Sequence, residues 1–176
     1  MNILRITRNT YPVKDGSTIH IHELSMQQAN LKNKVQLISP YFNSDKDRYS
    51  YSVKTLSFFS NKFFGLPGTE HYLFTSKFVK FLYAAATFKE ILFSKHEIIH
   101  FHGDIQDIIF LPILKLLLPK RKFFLTLHAA INQSKKYQFF YPFWFNFLDG
   151  IIVVSKELQK SIIFKLNKNL RKKILI

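Results

Sequence analysis

Short apolar runs alternate along the chain with longer stretches of helical periodicity. The apolar runs predict strands at residues 2–7, 35–39, 51–56, 98–102, 123–127, 150–154 and 173–176. The periodic stretches predict helices at residues 17–32, 73–95, 104–118, 136–147 and 155–166. Apolar strands separated by helices are typical of a parallel sheet covered on both faces. The fold class is therefore expected to be α/β, a single Rossmann-like doubly wound parallel sheet. No linker or repeat interrupts the pattern, so one domain is expected over residues 1–176.

Two of these helices carry further signals. In the helix at residues 73–95, one apolar stripe recurs at three-to-four spacing, and Lys77 and Lys80 lie off it. The stripe consists of Phe74, Phe78, Phe81, Leu82, Ala85 and Leu92. The helix at residues 104–118 contains Pro112 near its middle.

The composition bears on where the protein is located and on which kinds of site it can form. The 176 residues include no cysteine, which excludes disulfides and cysteine–metal sites and suits a reducing cytoplasm. The first residues lack the long apolar core of a signal peptide. The longest apolar run, from Ile108 to Leu118, is broken by Pro112 and Lys115. A membrane-spanning helix needs about 20 apolar residues, so no span is predicted.

The net charge of +15 indicates an anionic partner. Nucleic acid, an anionic membrane surface and a phosphorylated substrate all fit this charge, as does a generally lysine-rich solvated surface. The lysines are spread along the chain, and neither an aromatic RNA-binding block nor a zinc finger occurs, which disfavours nucleic acid. Aromatic residues within 73–95 and a basic cluster would attract an anionic bilayer. That cluster consists of Lys168, Arg171, Lys172 and Lys173. We therefore expect a cytoplasmic protein with a peripheral position at the inner face of the membrane.

Candidate ligand-binding residues follow the first predicted strand, because doubly wound sheets bind ligands at the carboxyl ends of their strands. Gly16 would let the backbone approach a ligand, and Ser17 can cap the helix that follows. The first N–H groups of that helix could then bind a phosphate. A simple turn with a helix cap is the alternative interpretation.

Histidines follow two later strands. His100 and His102 share one face of their strand; His100 is expected to be a core histidine, whereas His102 lies nearer the ligand end. The pair could bind zinc, but no third ligand is evident, so no metal site is expected. His128 follows the next strand and can donate or accept a hydrogen bond near neutral pH. It could equally cap the strand-to-helix turn. No nucleophile elbow, phosphate-binding Gly-Lys-Ser/Thr loop, zinc-protease motif or dinucleotide fingerprint is present.

Four blocks of sequence resemble glycosyltransferase family 4 of the GT-B fold. Residues 11–24 fit its opening, in which a Tyr-Pro turn precedes a Gly-Gly pair and then His-Val-x-Glu-Leu, although Ser17 replaces the second glycine. Residues 98–103 resemble its Ile-Val-His-x-His-Gly strand end, and residues 126–128 its Thr-x-His. Residues 149–158 resemble Ala-Asp-x-Ile-Ile-x-Val-Ser-x-x-Leu. Residues 32–35 depart from the usual Gly-His-Glu-Val, and residues 41–73 and 132–147 match no block of the family.

The resemblance implies the N-terminal, acceptor-side domain of such an enzyme, with the donor-binding C-terminal domain absent from these residues. The complete enzyme would move a sugar, with retention of configuration, from a nucleotide sugar to a hydroxyl of a sugar or lipid-linked acceptor, in surface polysaccharide or glycolipid biosynthesis. His128 would face the donor sugar as the catalytic residue, Gly16 and Ser17 would lie near phosphate or acceptor, and His102 would lie at the cleft floor. No cofactor or metal is implied. The alternatives are a non-catalytic subunit that docks a separate donor-binding chain, and a basic nucleic-acid-binding protein.

Overall fold

The computed structural model describes residues 1–8, 16–40, 49–56, 77–103, 105–128, 141–163, 166 and 168–175. Within these residues lie seven strands: β1 (Asn2–Thr7), β2 (Lys34–Ser39), β3 (Ser52–Thr55), β4 (Ile98–His102), β5 (Lys122–Leu127), β6 (Gly150–Val153) and β7 (Ile174–Leu175). They pair in parallel in the order β3-β2-β1-β4-β5-β6-β7. The prediction of a single parallel sheet is confirmed.

Six α-helices and one 3-10 helix belong to the described residues. They are α1 (Gly16–Asn30), α2 (Lys77–Phe93), the 3-10 helix (Ile105–Ile108), α3 (Leu111–Leu117), α4 (Tyr141–Asn146), α5 (Lys156–Ile163) and α6 (Lys168–Arg171). None of them is both long enough and apolar enough to cross a membrane. The predicted residues 73–76 and 136–140 lie outside the described part of the chain.

The prediction of one continuous helix over residues 104–118 is wrong. A 3-10 helix ends at Ile108, and α3 begins at Leu111 with Pro112 in its first turn. Proline has no N–H, and its ring clashes with the carbonyl four residues earlier, so it cannot stand in the middle of a helix. In a first turn neither defect matters, because the first N–H groups have no helical partner. Pro112 therefore starts a new helix.

The predicted apolar stripe of α2 is also wrong as the buried face. Phe78 and Phe81 are 67% and 48% exposed. The buried face instead contains residues four apart, Val79, Tyr83, Thr87 and Ile91. The hydroxyl of Tyr83 donates to the carbonyl of Thr7 at 2.6 Å, so this face can bury a tyrosine. Because both faces of α2 are apolar, periodicity alone could not identify the buried one.

The two faces of the sheet carry different cores. The larger core packs one face against α2 to α6 and includes Leu4, Ile6, Ile99, Phe101, Phe123 and Leu125. The smaller core packs the other face against α1 and consists of Ile3, Ile21, Val35, Leu37 and Tyr51. Side chains alternate between faces along a strand, so Arg5 and Thr7 share the α1 face with Ile3. Helices on both faces confirm the doubly wound architecture, and polar side chains replace apolar core beneath the middle of α1.

Candidate functional site

The winding of the sheet changes direction between β1 and β4. Strands β1, β2 and β3 follow one another outward to one edge, and β4 to β7 follow one another to the opposite edge. At such a switch point the loops at the carboxyl ends of the two central strands diverge and leave a crevice. The carboxyl ends of β1, β4, β5 and β6 therefore form the edge where a ligand site is expected.

An open pocket of about 570 Å³ lies at this edge. It is lined by Gly16, Ser17, His20, His128 and Val154. Gly16, Ser17 and His20 come from the first turns of α1, His128 directly follows β5, and Val154 directly follows β6. Three residues selected from the sequence thus meet in one pocket: Gly16 and Ser17, which are adjacent, and His128, which lies more than a hundred positions further along the chain.

The amino end of α1 leaves space at the pocket. A Cβ added to Gly16 would meet no atom of the described residues within 4 Å, so a ligand could approach the backbone closely at this point. His20 lies one helical turn beyond Gly16 and therefore on the same side of α1. Its ring centroid is 5.7 Å from that of His128, with the two rings edge to face. Two imidazoles therefore flank the space in front of Gly16 and Ser17.

His102 lies behind His128 instead of lining the pocket. It is 3% exposed, and its Nδ1 is 3.3 Å from Nε2 of His128. The two rings stack with centroids 5.6 Å apart. Register explains the contact: His102 pairs with Thr126 in the sheet, and His128 is the next residue on that face. His102 supports His128 from below, and its predicted contact with substrate remains a proposal.

A buried arginine holds the two histidines of β4. Arg5 is fully buried and pairs with His100 in the sheet register. Its Nη1 lies 3.1 Å from Nδ1 of His100 and 2.8 Å from Nε2 of His102. Its Nη2 donates to Oε1 of Gln28 in α1 at 2.5 Å. No carboxylate of the described residues pairs with Arg5. Among the described residues, the buried positive charge of Arg5 at the centre of the site therefore has no anionic partner.

Burial and charge together set the protonation of this cluster. Burial lowers the pKa of Arg5 to about 10, which leaves it protonated at neutral pH. Burial lowers the pKa of His100 well below its usual value, and the charge of Arg5 lowers it further. The pKa of His102 is likewise lowered well below its usual value, by burial, by His100 and by Arg5. Both histidines are consequently neutral near pH 7.

An ion pair closes the same edge beside β4. Nε of Arg8, just beyond β1, donates to Oδ1 of Asp107 in the 3-10 helix at 2.7 Å. Gly103 follows β4 and donates its N–H to the carbonyl of Thr126. A Cβ at Gly103 would lie 2.0 Å from Oδ2 of Asp107, so a side chain does not fit there. Across the described residues, no three His, Cys, Asp or Glu side chains are placed to hold a metal ion.

Sequence reasoning selected neither Arg5 nor His20 for the site. Arg5 stands in a strand of otherwise apolar and small residues, and a charge at a central position of a buried strand is rare. That anomaly was the available signal. His20 could have been found from its spacing, since it lies one turn from Gly16 and Ser17.

Comparison with known proteins identifies the family. Residues 14–170 match the sequence profile of Glycosyltransferase Family 4, which is most of the chain. The chain belongs to glycosyltransferase family 4. No curated protein matches the sequence significantly.

Solved structures show the fold. The chain superposes with a TM-score of 0.60 on the apo form of the lipopolysaccharide outer core galactosyltransferase WaaB, at 12% identity, covering 100% of this chain and 45% of that one. It superposes with a TM-score of 0.63 on sucrose-phosphate synthase from Thermosynechococcus elongatus, at 14% identity, covering 93% of this chain and 44% of that one. Both are GT-B glycosyltransferases, so this member of family 4 has the Rossmann-like fold of GT-B enzymes. It spans less than half the length of either neighbour.

Proposed function

We propose that this family 4 chain is the acceptor-side domain of a retaining glycosyltransferase. The complete enzyme transfers a sugar from a nucleotide sugar to a hydroxyl of a sugar or lipid-linked acceptor. A donor-binding domain, on the same or a separate chain, supplies the grip on the nucleotide. The product belongs to surface polysaccharide or glycolipid assembly. One structural neighbour is named a lipopolysaccharide outer core galactosyltransferase, which fits that class of acceptor.

The observation that carries this proposal is the meeting of Gly16, Ser17 and His128 in one open pocket at the switch point of the sheet. Gly16 and Ser17 belong to the first block of the family resemblance, and His128 belongs to the third. These two blocks lie more than a hundred positions apart in the sequence, so chance would rarely bring them to the same pocket. Their convergence supports one ligand site bounded by α1 and the carboxyl end of β5.

The roles follow from the chemistry of these groups. The open space at Gly16 and the positive end of the α1 helix dipole suit an anionic or hydroxyl-rich ligand near Ser17. The imidazole of His128, held from behind by His102, can form a directed hydrogen bond to a sugar hydroxyl. Such a contact positions the sugar for transfer without a metal ligand or a covalent cofactor.

Replacing His128 tests the proposal. In a transfer assay with the donor-binding domain present, His128→Ala should lower turnover by about 10-fold or more, because a positioned hydrogen-bonding group is lost. The folded state should persist, since His128 is only half-buried. His96→Ala is the matched control. It removes an imidazole just before the amino end of β4, whereas the pocket lies at the carboxyl ends of the strands, so turnover should be unchanged.

Circular dichroism and thermal unfolding of both variants separate folding from function. Normal turnover by a well-folded His128→Ala variant would contradict a role for His128 in transfer and leave it a structural residue of the turn.

A further inference from the structure

The hydrogen bonds around Arg5 form a continuous chain that ends at the pocket. Nη1 of Arg5 reaches both Nδ1 of His100 and Nε2 of His102. Nδ1 of His102 reaches Nε2 of His128, which lines the pocket. Nε2 of His100 reaches Oγ1 of Thr126 at 2.7 Å. The chain therefore links a buried cation to a pocket residue through one intermediate imidazole.

The protons available on each group decide which atom donates and which accepts in every hydrogen bond of this network. A guanidinium has only N–H groups and accepts no hydrogen bond. Both imidazole nitrogens that Arg5 contacts must therefore be acceptors, and the two protons of Nη1 match these two bonds. A neutral imidazole carries a single N–H, so His100 has its proton on Nε2 and donates to Thr126. By the same reasoning His102 has its proton on Nδ1 and donates it to Nε2 of His128.

The direction fixes the proton of His128 as well. Its Nε2 accepts from His102, so the ring proton of neutral His128 lies on Nδ1. Any hydrogen bond that His128 gives to a ligand consequently comes from Nδ1. A proton on Nε2 would instead set two N–H groups against each other at 3.3 Å.

We propose that Arg5 is a positioning residue, which fixes the ring protons of His102 and His128 and so makes His128 a hydrogen-bond donor through Nδ1 to the bound substrate. Arg5 itself lies out of reach of the pocket and acts only through His102. The assignment of the ring protons stands on the geometry alone, whereas its importance for turnover rests on the function proposed above.

The cost of burying Arg5 favours this role over simple packing. A charge without an ionic partner is expensive inside a protein, and a methionine or leucine would fill the same volume at lower cost. The arginine is also held in place from α1, because Oε1 of Gln28 accepts from Nη2. The planar fork of a guanidinium can serve Gln28 and two imidazoles together, which a single-point donor does less well.

The protonation states of Arg5, His100 and His102 agree with this network of hydrogen bonds. The lowered pKa values keep His100 and His102 neutral near pH 7, so both can accept from Arg5. The pKa of Arg5, about 10, keeps it a donor over the same range. In the described part of the chain, the titratable groups that face this cluster are His20, His128 and Tyr51, and none of these three is a carboxylate.

Long-range proton–nitrogen NMR of the uniformly labelled 176-residue chain tests the assignment directly, because it reports which ring nitrogen of each histidine carries hydrogen. The His128 signals are identified among the seven histidines by their absence from the His128→Ala spectrum. At pH 7 we expect hydrogen on Nδ1 of His102, on Nδ1 of His128 and on Nε2 of His100. Hydrogen on Nε2 of His128 in the wild-type chain would overturn the proposal.

Two variants of Arg5 test its causal role. Arg5→Met keeps the volume but removes the donor, so His102 and His128 should become mixtures of both tautomers. Arg5→Lys retains a buried donor and should restore the wild-type tautomers in greater part. Unchanged tautomers in a folded Arg5→Met chain would overturn the proposal. Should Arg5→Met fail to fold, the wild-type spectrum and the Arg5→Lys spectrum still decide it.

A transfer assay with the donor-binding domain separates this inference from the proposed function. If both hold, Arg5→Met lowers kcat in proportion to the fraction of His128 that no longer carries its proton on Nδ1, a smaller loss than that of His128→Ala, and the double variant is no slower than His128→Ala alone. Multiplicative losses in the double variant would mean that Arg5 acts on turnover independently of His128, which contradicts the positioning role. Altered tautomers in Arg5→Met with no transfer by the wild-type pair would contradict the proposed function and leave the proton assignment standing.

Discussion

Gly16 and Gly103 both lie at the carboxyl edge of the sheet, but their surroundings differ. At Gly16 an added Cβ would enter open space at the mouth of the pocket. At Gly103 it would strike the carboxylate of Asp107, which Arg8 holds in place by an ion pair. A glycine-to-alanine substitution is therefore expected to impair ligand binding at position 16 and to reduce stability at position 103.

Alanine substitutions at these glycines should have opposite effects. Gly16→Ala should leave the free energy of unfolding unchanged or raise it slightly, by about 0.4–1 kcal/mol, because the unfolded chain loses freedom. It should still weaken substrate binding, since the methyl group occupies ligand space. Gly103→Ala should lower the free energy of unfolding by about 1–3 kcal/mol through overpacking against Asp107. Urea unfolding measures both, and a marked loss of stability in Gly16→Ala would contradict this interpretation of the pocket.

The sequence predicted the pocket residues that lie in local motifs at the ends of strands. It did not predict the buried arginine whose hydrogen bonds hold the histidines behind them. Gly16, Ser17 and His128 occur in local motifs, so their place at the carboxyl edge follows from the fold class. The support by Arg5 depends on register between β1 and β4, which brings residues 5 and 100 side by side. Register between distant strands is a tertiary property, and no local pattern in β1 encodes it.

At the scale of elements, one carboxylate links β6 to α3 and β5 at the amino ends of the strands, away from the pocket. Asp149, just before β6, accepts from Nζ of Lys115 in α3 at 2.7 Å and from Nζ of Lys122 in β5 at 3.1 Å. It also accepts from the N–H of Phe123 at 2.9 Å. Burial alone would raise the pKa of Asp149, but these hydrogen bonds outweigh it and lower the pKa below its usual value. Asp149 therefore stabilises the amino edge of the sheet as an anion.

Asp149→Asn should lower the free energy of unfolding at pH 7 by about 1.5–3 kcal/mol, the range for hydrogen bonds to charged groups. Because the folded-state pKa is depressed, this stabilisation is present above the unfolded value of 3.8 and is lost as the pH falls through the lower folded value. The difference between wild type and variant should thus shrink below pH 3.8. Urea unfolding from pH 7 to pH 3 measures it, with Glu23→Gln on the exposed face of α1 as control. An undiminished difference at pH 3 would contradict the anionic role.

The elements themselves were largely predictable, for physical reasons that also explain the errors. Strands buried on both faces are continuous apolar runs, so each predicted strand is found within two residues of its expected bounds. The prediction of one helix over residues 104–118 was wrong because it placed Pro112 near the middle of a continuous helix, whereas Pro112 lies in the first turn of α3. The predicted buried face of α2 was wrong because phenylalanines also occupy its exposed side. Periodicity cannot show which of two apolar faces is buried.

The whole molecule combines a charge of +15 with exposed apolar side chains on two helices. On these two helices the exposed residues are Phe78, Phe81 and Phe93 of α2 and Ile113, Leu116 and Leu117 of α3, and Ile19 of α1 and Phe143 of α4 are exposed as well. Of the basic cluster near the last strand, Lys168, Arg171 and Lys172 are exposed. Lys173 instead donates to the carbonyls of Asn146 and Leu148, so it anchors the end of α4. Basic and aromatic groups at the surface favour contact with an anionic bilayer.

The chain should therefore co-sediment with anionic liposomes, with about 1 kcal/mol contributed by each basic residue near the surface, and binding should fall as salt rises. Phe78→Ser and Phe93→Ser should weaken binding without loss of stability, because both side chains are largely exposed. His96→Ala serves as the unaffected control. Equal binding to neutral vesicles, or binding insensitive to salt, would contradict a peripheral membrane position.

The division of labour between two domains is tested most directly by a radiolabelled sugar-transfer assay of the 176-residue chain, with and without a donor-binding domain. Under the proposed function, α1 and His128 border the pocket while a second domain binds the nucleotide. The chain alone should then bind nucleotide sugars weakly or not at all by isothermal titration. Transfer should occur only when the donor-binding domain is supplied. Robust turnover by the isolated chain would contradict this assignment and would place the catalytic site elsewhere in the molecule.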